Sequence, residues 1–100
     1  MGVGTAPRRG AALLASTLRI IGTAIALVLV LHVALTLLEA NPANQLTIFV
    51  ADLAVRFNLG LADLFLPADP KLAVALNYGL AALVWFAVTA VVVRIVRRFA

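Results

Sequence analysis

The one histidine of the chain, His32, stands inside an unbroken apolar stretch, with Thr36 and Glu39 following one and two helical turns later. On a helix these three residues share a stripe. An ionisable group among apolar residues is a functional candidate by default, and an imidazole near a carboxylate is apparatus for moving a proton or holding a ligand. A second apolar stretch carries Asn77 and Tyr78 near its start. If the two stretches are antiparallel helices, His32 and Asn77 lie about 9 Å and about 7–8 Å from the same end, at a rise of ~1.5 Å per residue. His32, Thr36, Glu39, Asn77 and Tyr78 are therefore expected to form an interhelical polar cluster. The favoured role is a hydrogen bond pinning the two helices, worth ~0.6–2 kcal/mol; a proton- or ligand-linked site is the alternative. A single histidine without a second buried carboxylate is thin for a proton path and too little for a metal site, which needs three or four ligands.

Other chemistry finds no footing in the sequence. There is no cysteine, no Ser-His-acid set, no glycine-rich phosphate loop and no metal-ligand spacing. No enzymatic activity and no cofactor is expected. Nucleic-acid binding is not expected either, because no basic soluble face is available to present.

The elements that must position the polar residues follow from composition. Hydrophobic residues make up 65% of the 100-residue chain and charged residues only 12%, and the mean hydropathy is +1.15. Soluble domains hold about 45–50% apolar and about 25% charged residues, and a chain this short could not bury the excess. Lipid removes the difficulty. The expected fold is an all-α membrane protein, a two-pass transmembrane helical hairpin with an amphipathic interfacial helix in the connecting segment. Residues 1–10 read as a disordered cytoplasmic tail, 11–38 as the first transmembrane helix and 39–71 as an extracytoplasmic segment. Residues 72–93 form the second transmembrane helix and 94–100 a basic cytoplasmic end. Each apolar run holds the roughly 20 residues that a ~30 Å hydrocarbon core requires.

Within the middle segment, Asn41-Pro42 reads as an N-cap followed by a first-turn proline. It opens a helix over 42–58 with Leu46, Phe49, Val50, Leu53 and Phe57 on one face and Gln45, Asp52 and Arg56 on the other. Such a helix is too short to span and is expected to lie in the interface plane. Gly60 suits the left-handed residue that ends it, and Asp69-Pro70 repeats the cap-then-proline device at the start of the last helix.

Small residues recur at helical spacing, Gly22 and Ala26 in the first run and Ala75, Gly79 and Ala82 in the second. With Trp85 they form a candidate packing face, serving the hairpin itself, a partner or another copy. Trp85 falls near mid-membrane, where its indole N–H needs an acceptor.

Charge sets the orientation. Arg8, Arg9 and Arg19 lie toward the beginning and Arg94, Arg97 and Arg98 toward the end, whereas Glu39, Asp52, Asp63 and Asp69 all fall in the middle with only Arg56 and Lys71. Basic residues flank cytoplasmic ends, so both termini read as cytoplasmic in a multi-pass protein of the cell membrane. The first run is read as a span in preference to a cleaved signal peptide, because it exceeds a usual h-region and Glu39-Ala40-Asn41-Pro42 is a poor cleavage site. The basic ends read as a topology signal, with anionic headgroups as the other candidate.

The order of spanning helix, Asn41-Pro42 with Asn44, amphipathic helix through Phe57 and Asp69-Pro70 resembles one repeat of the YggT/YlmG-type small prokaryotic membrane proteins. The proline- and arginine-rich stretch of that family is replaced here by Leu59 to Leu66. Ala40-Asn41-Pro42-Ala43-Asn44 and Leu76-Asn77-Tyr78-Gly79 are similar to segments of small two-helix membrane proteins of actinobacterial type. Neither resemblance implies an activity. The expectation is a non-enzymatic accessory or scaffold subunit that meets the lipid bilayer and either a membrane-protein partner or its own copies as a homo-oligomer. A small oligomeric pore former, holin-like in having two spans with both ends inside, or a transporter subunit is the alternative.

Overall fold

From Ala11 to Leu37 the chain contains no proline and is rich in alanine and leucine, and the computed structural model, which describes residues 5–99, is one helix across this stretch. This helix, α1 (Thr5–Leu37), is followed by α2 (Gln45–Arg56) and α3 (Pro70–Arg97), with no strand among the described residues. α1 starts inside the stretch expected to be a disordered tail, and residues 1–4 of that tail lie outside the described residues. Pro7 does not stop it, because a proline in the first turn lacks only an N–H that would have no helical partner.

α1 ends in a Schellman turn. The Ala40 N–H donates to Leu35 O at 2.8 Å and the Glu39 N–H to Thr36 O at 3.1 Å, and Glu39 takes the left-handed φ of 57° that usually falls to glycine. The chain is still turning at Asn41. Its side chain accepts from the Ala43 N–H at 3.0 Å and its carbonyl from the Asn44 N–H at 3.0 Å. Asn41 is thus spent on the turn, and the N-cap of α2 is Asn44, which accepts from the Leu46 N–H at 2.9 Å. The helix expected over 42–58 is correspondingly shorter at both ends. It closes at Phe57, after which Leu59 (φ 59°) and Gly60 (φ 74°) are both left-handed. Gly60 therefore serves the turn beyond the helix, where the Asn58 side chain accepts its N–H at 2.8 Å, and is not the residue that stops α2. α3 starts as expected, with Asp69 accepting from the Lys71 N–H at 3.0 Å and Pro70 in the first turn. It runs past Val93 to Arg97, since nothing there breaks a helix.

α1 and α3 form an antiparallel hairpin in one continuous register. Passing from the turn end, Glu39 meets Lys71, His32 meets Tyr78, Gly22 meets Thr89, and Arg19 faces the crevice that Arg94 lines. The buried stripe on α1 is Ala15, Gly22, Ala26 and Leu29, and that on α3 is Tyr78, Ala81, Ala82 and Val93. Ala15, Gly22 and Leu29 recur every second turn, the spacing of a left-handed helix pair. Outside this seam the apolar side chains point away from the protein, among them Ile20, Leu27, Leu31, Leu83 and Val91. Both helices are long and apolar enough to cross a membrane, and only 17% of each apolar stretch is buried. A helix in the core of a soluble domain would be mostly covered.

α2 does not lie across the turn end of the hairpin. Ala54 belongs to the same buried cluster as Leu29, Tyr78, Ala81 and Ala82, and the Phe57 carbonyl accepts the Trp85 indole N–H at 2.8 Å. Trp85 is about fifteen residues, or ~22 Å, along α3 from Pro70. α2 therefore descends beside the hairpin, and the connector 58–69 climbs back to the start of α3. These two contacts, and not the amphipathic pattern, set the direction of α2 relative to the hairpin.

Candidate functional site

The expected polar cluster is divided in the structure. Asn77, only 1% exposed, turns away from His32 and clamps the connector. Its amide NH2 donates to Ala62 O at 2.8 Å and to Phe65 O at 2.9 Å, and its oxygen accepts the Phe65 N–H at 2.8 Å. A returning segment without helix or strand has backbone groups that must find partners elsewhere, and a side-chain amide offers both donors and acceptor in one place. The three bonds make Asn77 the residue that fixes the path of 62–65.

His32 and Tyr78 do meet, ring on ring edge, with centroids 4.7 Å apart at 72°. Thr36 takes no part across the helices, because its hydroxyl donates to the His32 carbonyl of its own helix at 2.8 Å, as helical threonine commonly does. Glu39 lies at the rim, paired with Lys71 at 2.8 Å. The hydrogen bond from Lys71, and then its charge, hold the Glu39 carboxyl below the ordinary carboxylate range. The side chains of this pair are 74% and 43% exposed, so the bond is screened by solvent and adds little to stability. His32, Thr36, Glu39 and Thr47 line an open crevice of about 240 Å³ between α1 and the first turn of α2. Among the described residues, no three of His, Cys, Asp and Glu converge as metal ligands would.

The expected packing face also divides. Gly22 and Ala26 are buried against α3, as are Ala82 and one side of Trp85 against their neighbours. At Gly22 the helices touch so closely that an added Cβ would lie 2.8 Å from Thr89 Cβ, nearer than carbon atoms pack. Ala75 and Gly79 face the opposite way. They line an open apolar groove with Phe65, Leu76 and Leu83, and a Cβ on Gly79 would meet nothing within 4 Å. Small-residue spacing alone does not say which side of a helix is used. Trp85 packs within the chain, edge-on to Phe57 at 6.0 Å and hydrogen-bonded to its carbonyl.

The sequence places Thr89 one turn from Trp85 but does not show its contact with Gly22, nor the roles of the Phe57 carbonyl and the backbone of 62–65. The first could have been found from the register that the caps fix. The other two are backbone groups, which no side-chain pattern marks. Directly opposite the buried Val50 and Ala54, the stripe Gln45, Asp52 and Arg56 points away from the hairpin, exposed, and Asp52 and Arg56 form no ion pair among the described residues. No protein-family model matches the chain, and neither a curated protein nor a solved structure shows significant similarity to it.

Proposed function

We propose that the chain is an integral membrane protein that crosses the bilayer twice with both ends in the cytoplasm, and that it acts as a non-enzymatic scaffold or accessory subunit. Its α2 and connector form a re-entrant segment, and its partner is another membrane protein or a second copy of itself. Length, hydropathy and outward-facing apolar side chains support the spans, and the charge bias supports the orientation.

The observation that carries the assembly reading is the outward stripe of α2. With Phe57 held at Trp85, Asp52 and Arg56 sit well below the outer end of the hairpin. Charged side chains facing lipid at such depth cost ~2.5–3.5 kcal/mol each on insertion scales. Non-helical backbone at membrane depth occurs only where protein or a water-filled cavity covers it. The stripe therefore calls for a polar neighbour. A photo-crosslinking residue at Asp52 is expected to yield adducts in native membranes, while one at the apolar, exposed Leu27 yields none. Monomer alone from both positions contradicts the proposal. A reporter that works only outside the cytoplasm, active when fused after Ala100, contradicts the orientation.

The same stripe favours a second reading, an oligomeric pore former whose α2 segments line a water-filled path. Under that reading induced expression depolarises cells, and Asp52→Leu with Arg56→Leu abolishes the effect. Intact membrane potential at full expression rejects it.

A further inference from the structure

Three arginines from two helices converge at the end of the hairpin opposite the connector. Arg19 of α1 and Arg94 and Arg97 of α3 line one crevice of about 310 Å³, floored by Ala90 and Val93. Val93 is 2% exposed, packed in the seam with α1, so the floor of the crevice is rigid. Arg94 and Arg97 are one turn apart and share a helix face, and Arg19 comes from across the seam. The cluster has no side-chain counter-ion. All four acids of the chain lie between Glu39 and Asp69, and the one ion pair among the described residues is Glu39–Lys71 at the other end. Three guanidinium groups gathered without a carboxylate repel one another unless an anion joins them. Guanidinium is the side chain best shaped to grip a tetrahedral oxyanion with paired N–H donors, and the crevice is large enough for a small polar group.

We propose that this crevice binds an anionic phosphate ester held jointly by Arg19, Arg94 and Arg97. The crevice lies where Arg19 interrupts the first apolar stretch, leaving 20–38 uncharged, and where the run 72–93 meets Arg94; with 20–38 and 72–93 as the matched spans, this is the headgroup level. An anionic phospholipid headgroup is the source that fits this level, and a soluble phosphate compound shares the chemistry. The phosphate site stands on the arginine geometry alone; its lipid source rests on the membrane reading.

The test is native mass spectrometry of the full chain in neutral detergent. It is titrated separately with phosphatidylglycerol, cardiolipin and phosphatidylcholine, each with and without inorganic phosphate. The chain is expected to retain the anionic lipids at least about tenfold better than phosphatidylcholine. The triple variant R19K/R94K/R97K keeps every charge, and hence the topology signal, but loses the paired donors. It is expected to lose most of that preference, because an ammonium is a point charge that cannot present the two parallel N–H donors of a guanidinium to an oxyanion, while R8K/R9K outside the crevice keeps it. Ala90→Glu sets a carboxylate against the arginines and is expected to abolish retention even where the lysine variant is hard to prepare. Lipid retention that inorganic phosphate does not displace supports the headgroup source. Displacement by phosphate supports the site with a soluble ligand. Equal retention by the wild type and the triple lysine variant, or equal retention of phosphatidylcholine and the anionic lipids, overturns the proposal, since the attraction is then diffuse.

Discussion

The two halves of the hairpin are held together by different forces. On the connector side, one asparagine makes three hydrogen bonds to backbone of the returning segment and one tryptophan makes a fourth to the end of α2. On the arginine side, among the described residues, no side-chain hydrogen bond crosses between α1 and α3, and Gly22, Ala15 and Val93 bring the helices together by shape alone. The difference follows from what each half must satisfy. Two helices that satisfy their own backbone need only a close fit. A segment that descends and returns without regular structure needs donors and acceptors supplied to it. The side chains that hydrogen-bond to another segment, Asn77 and Trp85, are therefore found where irregular backbone must be satisfied, and their presence inside the apolar run is a structural requirement before it is a sign of chemistry.

Mutations can break this contrast from either side. The largest effect is expected from Asn77→Leu, which leaves one N–H and two carbonyls without partners. At ~1–3 kcal/mol for a buried group left unsatisfied, a loss of about 3 kcal/mol is expected in detergent unfolding, with faster amide exchange confined to 58–69. Exchange that accelerates equally along α1 and α3 would show that the clamp is not local. Gly22→Ala comes next. Overpacking at a fitted contact costs ~1–3 kcal/mol, and Thr89→Gly in the same chain should recover part of it because it removes the opposing Cβ. Failure of that rescue would mean the helices do not meet at this pair.

Trp85→Phe removes one hydrogen bond but keeps most of the ring packing, so about 1 kcal/mol is expected, together with loosening of the last turn of α2. The smallest effect belongs to the Glu39–Lys71 pair. Because pairing lowers the Glu39 pKa from its ordinary 4.5, its contribution is present above that value and fades as the pH falls through the lowered one. Glu39→Gln should therefore unfold slightly earlier than wild type at pH 7 and indistinguishably from it in strong acid. A difference that persists in acid would assign the effect to the left-handed turn at residue 39 instead of the charge.

Local signals were legible in the sequence and directions between elements were not. Asp69-Pro70 specifies its own helix start because a cap and a first-turn proline act within four residues. Asn41-Pro42 is a pair of the same kind, a capping residue before proline, and makes a turn, because Glu39 and Ala40 already close α1 in a Schellman geometry and the cap passes to Asn44. The periodicity of α2 sets Leu46, Phe49, Val50, Leu53 and Phe57 on one face, yet Leu46 and Phe49 are exposed and the buried side is Val50 with Ala54, and periodicity fixes only the rotation of a helix about its axis. Whether α2 lies across the hairpin or descends beside it is decided by Trp85 and Ala54, which are distant in sequence. In the same way His32 and Asn77 come to similar heights as their positions imply, but Asn77 faces the connector. The amide follows the larger demand, three backbone groups, over a single imidazole.

The descent of α2 can be tested with the chain's one tryptophan as the reporter, since there is no native cysteine to interfere with labelling. A nitroxide is attached through a single cysteine at Arg56, beside the end of α2 that Trp85 holds, or at Gln45, about 16 Å away along the helix. With α2 descending beside the hairpin, strong quenching of Trp85 fluorescence is expected from position 56 and little from position 45, in detergent and in vesicles. Equal quenching from both positions, or stronger quenching from 45, would contradict this and set α2 across the turn end of the hairpin.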